Sequence, residues 1–241
     1  MAALTTVCMA TYTGERHVAA QLASILQSPR VGEVLVSDDG STDRTREFVL
    51  GFADPRVRLL DGPRAGVTHN FEALLGAARG EYIFLADQDD VWLPHKVETM
   101  LAALQTADLV VSDCTVVDED LRVLQPSFQA IRHSGPGLWK NLARNSYLGC
   151  CMAFRRRVLT HALPFPRQLP MHDWWIGLVA DCIGTVRFLP EPLLQYRRHG
   201  GNASSTSERS TATLARQIAW RATLAIHLLG RCVAATPGRR P

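Results

Sequence analysis

The segment EYIFLADQDDVWLPHKV, residues 81–97, decides the fold class of this chain. Its apolar part, Tyr82–Ala86, has the length of a buried strand and stops abruptly at the acidic sequence DQDD. Pro94 then stands in the first-turn position that proline prefers in a helix. The segment therefore predicts a strand, an acidic turn at the carboxyl end of that strand, and a helix that continues to about Gln105.

The same succession of apolar run, polar turn and helical pattern recurs through the first half of the chain. The predicted strands are Leu4–Ala10, Glu33–Ser37, Val57–Leu60 and Leu109–Ser112, and the predicted helices between them end near Gln27, Phe52 and Ala78. Strands that alternate with helices form right-handed βαβ units and a parallel sheet. We therefore expect an α/β protein with a mainly parallel, Rossmann-like sheet and helices on both faces.

The second half of the chain is less regular. Residues 126–146 contain Pro, Gly and Ser and are predicted to form a loop or an insertion that faces the acceptor. The remaining predicted elements are a strand at Tyr147–Phe154, a helix at Asp173–Ile183, a strand at Val186–Leu189 and an amphipathic helix at Leu214–Leu229. We predict two parts: a catalytic domain over residues 1–205, and a basic C-terminal helix and tail over residues 206–241.

Charge and composition exclude several classes of protein. The chain has 241 residues and a net charge of +3, but six arginines and a single acid lie from Glu208 onward. The body of the chain is therefore slightly acidic, which argues against nucleic-acid binding. The N-terminal sequence MAALTTVCMATYTG lacks the pattern of a signal peptide, and no apolar run reaches the ~20 residues of a membrane span. We expect a cytoplasmic location and six buried, reduced cysteines.

Two groups of carboxylates follow predicted strands. Asp38 and Asp39 end one strand, and Asp87, Asp89 and Asp90 end another. Ligands of parallel α/β sheets bind at the carboxyl ends of the strands, where so many acids repel one another unless a cation is bound. A divalent metal that bridges carboxylate and pyrophosphate satisfies both conditions. The alternative for each acid is that it caps the following helix, which we favour for Asp43. Glycine-rich phosphate loops are absent from the sequence.

An ordered set of motifs resembles family 2 glycosyltransferases of the GT-A fold, and especially bacterial rhamnosyltransferase-like members that build O-antigens and other surface polysaccharides. The motifs are MATYTGERHVAAQLASIL (9–26), VSDDGSTDRT (36–45), GVTHNFEALLGAARGEYIFLADQDDVWLPHKV (66–97), LGCCMAFRR (148–156), PMHDWW (170–175) and YRRHGGNAS (196–204). The match covers roughly residues 4–204. Thr13 departs from the family pattern, which has Asn there, and the QxxRW motif of processive synthases is missing.

The resemblance implies a role for each matching residue. Asp87-Gln88-Asp89 corresponds to the metal-binding DxD signature, with Asp89 as the direct ligand and His199 completing the metal site. Asp173 corresponds to the catalytic base of inverting members. The expected nucleotide-sugar contacts are Thr11, Tyr12, Glu15, Asp38, Asp39, Asn70, Asp87, Arg197 and Arg198. Next to the expected base, Trp174 and Trp175 either stack on a sugar or fill the core, and His172 is expected to orient its loop.

The implied activity is transfer of one sugar, with rhamnose favoured, from a dTDP- or UDP-sugar to a glycan or lipid-linked glycan, with Mn²⁺ or Mg²⁺ and inversion at the anomeric carbon. A metal stabilises the departing nucleotide diphosphate, and one carboxylate deprotonates the acceptor hydroxyl. Two alternatives are a nucleotidyltransferase and a non-catalytic sugar-nucleotide-binding subunit. The first usually carries a basic, glycine-rich loop that Thr11–Glu15 lacks, and the second would have lost the acids that remain here.

The predicted C-terminal helix offers two kinds of contact. Leu214, Ile218, Leu224, Ile226 and Leu228 give it an apolar surface, and Arg216, Arg221 and Arg231 add positive charge. Such a helix can lie on an anionic membrane at the inner face, where it would meet a lipid-linked acceptor. It can equally pack on its own domain or on the partner in a homodimer.

Overall fold

The computed structural model describes residues 4–198 and 213–235, and within these ranges nine strands form one mixed sheet. The strands are β1 (Thr5–Thr11), β2 (Glu33–Asp38), β3 (Val57–Asp61), β4 (Tyr82–Ala86), β5 (Val91–Trp92), β6 (Leu109–Val117), β7 (Val123–Gln125), β8 (Met152–Arg155) and β9 (Val186–Arg197). The helices are α1 (Val18–Leu26), α2 (Thr45–Gly51), α3 (Val67–Ala77), α4 (Lys96–Ala103), α5 (Phe128–Arg132), α6 (Leu138–Ala143), α7 (Arg156–Ala162), α8 (His172–Ile183) and α9 (Leu214–Ala235).

The sheet has the order β3-β2-β1-β4-β8-β6-β9-β5, and β7 pairs with β6. Strands β1 to β4 are mutually parallel, β8 runs antiparallel between β4 and β6, and β9 is parallel to β6. Most strands therefore point in one direction, which confirms the predicted α/β class with a mainly parallel sheet. The pairing also brings the carboxyl ends of β1, β2 and β4 to one edge.

Burial explains why the apolar runs form these strands. All six residues of β2 are buried, as expected for an inner parallel strand that is covered on both faces. Helix α1 buries Val18, Leu22 and Ile25, which recur at the spacing of one helical face. Helix α8 buries almost its whole length, and the indole N–H groups of Trp174 and Trp175 donate to backbone carbonyls of Asn141 (2.7 Å) and Ala162 (2.9 Å). Both tryptophans therefore belong to the core, and the sugar-stacking alternative is not supported.

Three predicted elements of the second half were wrong in extent. Residues 126–146, predicted as a loop, contain the short helices α5 and α6. The predicted strand Tyr147–Phe154 is a 3-10 turn, Gly149–Cys151, followed by β8. Strand β9 continues past Pro190 and Pro192 to Arg197, because its register against β6 shifts there and prolines are tolerated at such irregularities. These differences depend on pairing partners far away in the sequence.

The cysteine prediction was wrong for one pair. Cys182 on α8 and Cys232 on α9 form a disulfide with a Cα–Cα distance of 5.8 Å, because the two helices pack side by side. The other four cysteines are buried and free, as expected. Within the described ranges, no helix combines the length and the apolar character that crossing a bilayer requires.

The predicted apolar surface of the last helix is divided between two faces. Leu224 and Leu228 are buried, as expected if the helix packs on its own domain, whereas Leu214, Ile218 and Ile226 are exposed. Arg221 donates to the Ala143 carbonyl and Arg231 to those of Leu163 and Pro164. The helix thus docks on its own domain through Leu224, Leu228, Arg221 and Arg231, and an exposed apolar face remains. The predicted boundary at residues 205 and 206 lies outside the described residues.

Candidate active site

One cavity of about 620 Å³ lies at the carboxyl ends of β1, β2 and β4. It collects seven of the predicted site residues: Thr11, Tyr12, Asp39, Asn70, Asp87, Asp89 and Asp173. They come from five separate stretches of the chain, and the sheet brings three of these together at the ends of β1, β2 and β4. The fourth is Asn70 on α3, and the fifth, at the start of α8, reaches the cavity because α8 packs against α3.

The loops after β1 and β4 are hydrogen-bonded to each other at this edge. The Gln88 side chain donates to the Tyr12 carbonyl (3.0 Å) and accepts from the Tyr12 N–H (2.9 Å). A Cβ on Gly14 would lie 2.2 Å from Oε1 of Gln88, so a residue with a side chain there would break the contact. Thr13, which stands where the family has Asn, has the left-handed φ of 46° that Asn adopts more readily than Thr. Thr13 therefore gives the first loop a left-handed residue in this chain.

Asp38 and Asp39 face different partners. The buried carboxylate of Asp38 accepts from the Thr11 hydroxyl (3.0 Å) and from the Ser41 N–H (2.9 Å) and hydroxyl (2.5 Å), and it does not line the cavity. Asp39 lines the cavity and accepts from the N–H groups of Arg64 (2.6 Å) and Gly66 (2.8 Å). Asp38 thus shapes the loop from within, while Asp39 stands at the cavity wall.

The acidic turn after β4 concentrates negative charge. Single donor atoms of Asp87, Asp90 and Cys150 lie within 4.8 Å of one another, and Asp89 lies between the two acids in sequence and lines the cavity. Burial, followed by the charges of Asp89 and Asp173, raises the pKa of Asp87 to about 8. Burial and the charges of Asp89 and Asp87 raise the pKa of Asp90 well above its usual value. Crowded, destabilised carboxylates of this kind fit a divalent cation.

The predicted basic residues at the end of β9 have structural contacts. Arg197 is buried and donates from its backbone to Asp90 (3.1 Å) and from its guanidinium to the Asp89 carbonyl (2.9 Å). Arg198 donates through its backbone to Val117 (2.9 Å), and neither arginine lines the cavity. Glu15, also outside the cavity, accepts from the Arg44 N–H (3.0 Å). His199 lies outside the described residues.

Asp173 occupies the first turn of α8, whose N-cap position belongs to Met171. Its carboxylate accepts from the N–H groups of Trp174 (2.6 Å) and Gly149 (3.2 Å). Burial raises the pKa of Asp173 to about 6, while these two hydrogen bonds oppose the rise. A carboxylate with a raised pKa at a cavity wall has the properties of a general base that works near neutral pH.

The cavity also contains residues to which the sequence assigned no ligand contact. They are, among others, Gln88, His172, Arg64 and Tyr196. Gln88 is the variable residue of DxD, and His172, expected to orient its loop, directly precedes the predicted base, so proximity in sequence was the available signal for both. Tyr196 appeared only as the first residue of the motif YRRHGGNAS, and for Arg64 no local pattern pointed to the cavity.

Comparison with protein families gives a match over most of the body of the chain. The profile described as Glycosyl transferase family 2 matches residues 6–162. This range contains both acidic clusters and ends before α8.

One relative by sequence is an Escherichia coli protein named UDP-Glc:alpha-D-GlcNAc-diphosphoundecaprenol beta-1,3-glucosyltransferase WfgD. It is 27% identical over 184 residues, which cover 74% of this chain and 70% of the relative.

Two solved structures share the fold. TarS 1–349 of S. aureus, in complex with UDP-GlcNAc, has a TM-score of 0.72 at 17% identity, over 94% of this chain and 66% of TarS. Glucosyl-3-phosphoglycerate synthase of Mycobacterium tuberculosis, in complex with Mn²⁺, UDP and glucosyl-3-phosphoglycerate, has a TM-score of 0.59 at 18% identity, over 99% of this chain and 82% of that one. At these identities the likeness concerns the fold alone.

Proposed function

This chain belongs to glycosyl transferase family 2, and we propose that it transfers one sugar from a nucleotide-sugar donor to a glycan or lipid-linked glycan, with inversion at the anomeric carbon. The alternatives of a nucleotidyltransferase and of a non-catalytic subunit are given up, because the family consists of glycosyltransferases and the expected acids are all present.

The observation that carries the proposal is the single cavity shared by Asp39, Asp87, Asp89 and Asp173. Its volume of about 620 Å³ lies within the range of ligand pockets and is large enough for a nucleotide sugar. Asp39 after β2, Asp87 and Asp89 after β4, and the raised-pKa carboxylate of Asp173 on α8 all line its wall. A donor can therefore hold its nucleotide against the loops after β1 and β2 while its sugar lies near Asp173.

In this reaction Asp173 accepts the proton of the acceptor hydroxyl as the hydroxyl attacks the anomeric carbon. The N–H groups of Gly149 and Trp174 hold the carboxylate in place, which reduces the reorganisation needed at the moment of reaction. Asp39, Thr11 and Tyr12 contact the nucleoside, and Asn70 contributes its buried side-chain oxygen to the same wall. A single displacement from the face opposite the leaving diphosphate inverts the configuration.

We assign the metal-binding role to Asp87 and Asp89, with Asp90 and Cys150 beside them. When bound there, a divalent cation such as Mn²⁺ or Mg²⁺ supplies Lewis-acid stabilisation of the departing diphosphate. Gln21 and Arg197 hold the backbone of the acidic turn, through the carbonyls of Asp87 (2.9 Å) and Asp89 (2.9 Å). Arg198 is proposed to contact the diphosphate, and His199, outside the described residues, is proposed to complete the metal site.

The identity of the donor and the acceptor is proposed only as a chemical class. The motif resemblance favours dTDP-L-rhamnose as the donor, whereas the Escherichia coli relative is named for UDP-Glc and an acceptor on diphosphoundecaprenol. We propose a UDP- or dTDP-sugar donor and an acceptor carried on a lipid. The exposed apolar face of α9 would then place the enzyme at the inner membrane surface.

Donor hydrolysis tests the function without a known acceptor. The purified chain is incubated with UDP-glucose, UDP-GlcNAc or dTDP-L-rhamnose, each with Mn²⁺, and release of free sugar is followed by NMR. We expect slow hydrolysis of one donor, loss of hydrolysis in EDTA, and initial release of the inverted anomer. Absence of binding and hydrolysis for all three donors, or release of the retained anomer, would refute the proposal.

A further inference from the structure

His172 is a buried residue of the cavity wall that was expected only to orient its loop and has no assigned contact with a ligand. It is the first residue of α8, its side chain is 3% exposed, and it directly precedes Asp173. Its ring stacks on Phe71 of α3, with 3.9 Å between ring centroids and 19° between ring planes. The imidazole is therefore fixed in orientation by its neighbours.

Neither ring nitrogen of His172 has a hydrogen-bond partner among the described residues. A buried polar atom without a partner costs about 1–3 kcal/mol, so native proteins rarely retain one without a use. If stacking on Phe71 were the only role, a phenylalanine would fill the same place without this cost. The two free nitrogens therefore indicate a ligand in the cavity.

The surroundings of the ring leave space for such a ligand. A Cβ on Gly149 would lie 3.4 Å from Nε2 of His172 and 3.6 Å from Cβ of Asp173. Because residue 149 is glycine, this space between the imidazole and the proposed base stays open to the cavity that all three residues line.

The charge state of the His172 ring restricts the chemical groups that it can bind. Burial lowers the pKa of His172 to about 3, so the ring is neutral at physiological pH. A neutral imidazole offers one N–H donor and one acceptor nitrogen, which matches a hydroxyl group better than a phosphate. Diphosphate binding is also already assigned to the acidic turn and its cation.

We propose that His172 hydrogen-bonds a hydroxyl group of the transferred sugar and thereby helps to select the donor. The inference rests on the proposed function, since it assumes a sugar in this cavity. The donor sugar is favoured over the acceptor because His172 is enclosed, whereas the acceptor must enter from solvent. A site that hydrogen-bonds a hydroxyl rejects an analogue without it far more strongly than an apolar site does.

The test is the variant His172→Phe, which keeps the stacked ring and removes both nitrogens. Calorimetry measures its affinity, with Mn²⁺, for UDP and UDP-glucose, and for dTDP and dTDP-L-rhamnose. For the pair that contains the donor we expect affinity for the sugar nucleotide to fall about 10-fold or more, with affinity for the nucleotide unchanged. His172→Gln, which restores a donor and an acceptor, should recover part of the loss.

A series of monodeoxy analogues of the donor identifies the hydroxyl. The wild type should bind one of the analogues as weakly as His172→Phe binds the full donor. His172→Phe should bind that analogue and the full donor with equal affinity. Equal losses for nucleotide and sugar nucleotide, or no analogue with this behaviour, would overturn the role of His172. If the wild type bound no sugar nucleotide at all, the proposed function itself would fail, which is a different result.

Discussion

At the scale of single residues, the environment of Asp173 has two opposing effects on the pKa of its carboxylate. Burial destabilises its ionised form, and the N–H groups of Gly149 and Trp174 stabilise it. Burial dominates, so the carboxylate holds a proton more readily than an exposed aspartate does, yet is ionised at neutral pH. This balance favours a group that takes up a proton during the reaction and releases it afterwards.

The variant Asp173→Asn separates catalysis from structure. Asn keeps the size of the side chain and one oxygen, which can still accept from the Trp174 N–H, and it loses only the longer bond from the Gly149 N–H, so we expect the melting temperature to fall only slightly. Removal of the base should lower turnover by ~10²-fold or more, with donor affinity nearly unchanged. Turnover in a transfer assay and calorimetric donor binding measure the two quantities. Unchanged turnover would leave Asp173 with a structural role only.

The raised pKa of Asp173 also predicts a pH dependence. The base acts when ionised, so kcat/KM should rise with pH until the pH exceeds about 6 and then level off. The contribution of Asp173 to the free energy of unfolding should change with pH in the opposite direction. Because its pKa is higher in the folded state, protonation of Asp173 favours folding at low pH, and that contribution is lost as the pH rises through about 6. A pH series of initial rates checks the first statement. A flat profile below pH 6 would contradict the assignment.

At the scale of elements, the pair α8 and α9 connects the proposed base to the end of the described chain. Helix α8 carries Asp173 in its first turn and Cys182 near its end, where the disulfide to Cys232 joins it to α9. Leu224 and Leu228 pack in the same interface. The last helix thus supports the element that positions the base.

The disulfide predicts a sensitivity to reductant. A bond that closes 50 residues of sequence stabilises the folded state by about 2–4 kcal/mol, so dithiothreitol should lower the melting temperature. Cys182→Ser should melt at the lower temperature with or without reductant. A thiol titration of the unfolded, unreduced wild type should find four free thiols. Six reactive thiols would show that the bond is absent.

The exposed face of α9 predicts membrane binding. Ile218, Ile226 and Leu229 are 59%, 67% and 66% exposed, so replacing all three with Ser should leave the melting temperature unchanged. We expect the wild type to float with phosphatidylglycerol vesicles and the triple variant to remain in solution. Leu224→Ser, at a buried position of the same helix, should instead destabilise the protein.

Equal flotation of the wild type and the triple variant would contradict the membrane assignment. The face could instead contact a second copy of the chain. In that case the wild type would not float, and its mass by light scattering would be that of a dimer that the triple variant disrupts.

At the scale of the whole molecule, ligand binding and folding should be coupled. The cavity wall draws on β1, β2, β4 and α8, so a ligand that contacts all of them stabilises the folded state as a unit. With UDP and Mn²⁺ each in large excess, we expect the melting temperature to rise by several degrees. EDTA should abolish the rise, and Asp89→Asn should melt like the metal-free wild type under all conditions. An equal rise in Asp89→Asn would contradict the metal role of this residue.

The sequence alone determined the α/β class and the edge of the sheet at which the cavity lies. A short apolar run bounded by polar turns, such as Tyr82–Ala86, is typical of a buried strand, and acids at its end lie at the edge where parallel strands terminate. Both conclusions depend only on residues close together in the chain. The ordered motifs added the family and the expected base, Asp173, which the structure places in the same cavity as Asp39, Asp87 and Asp89.

Only the tertiary structure decided which side chains face that cavity and which point into the protein interior. Asp38 and Asp39 are adjacent and chemically identical, yet one shapes its own loop and the other lines the wall. The Cys182–Cys232 bond, the core positions of Trp174 and Trp175, and the two free nitrogens of His172 likewise have no local signal. Each depends on elements that are distant in sequence and meet through packing, and a linear pattern of residue types does not encode which atoms such packing leaves without a partner.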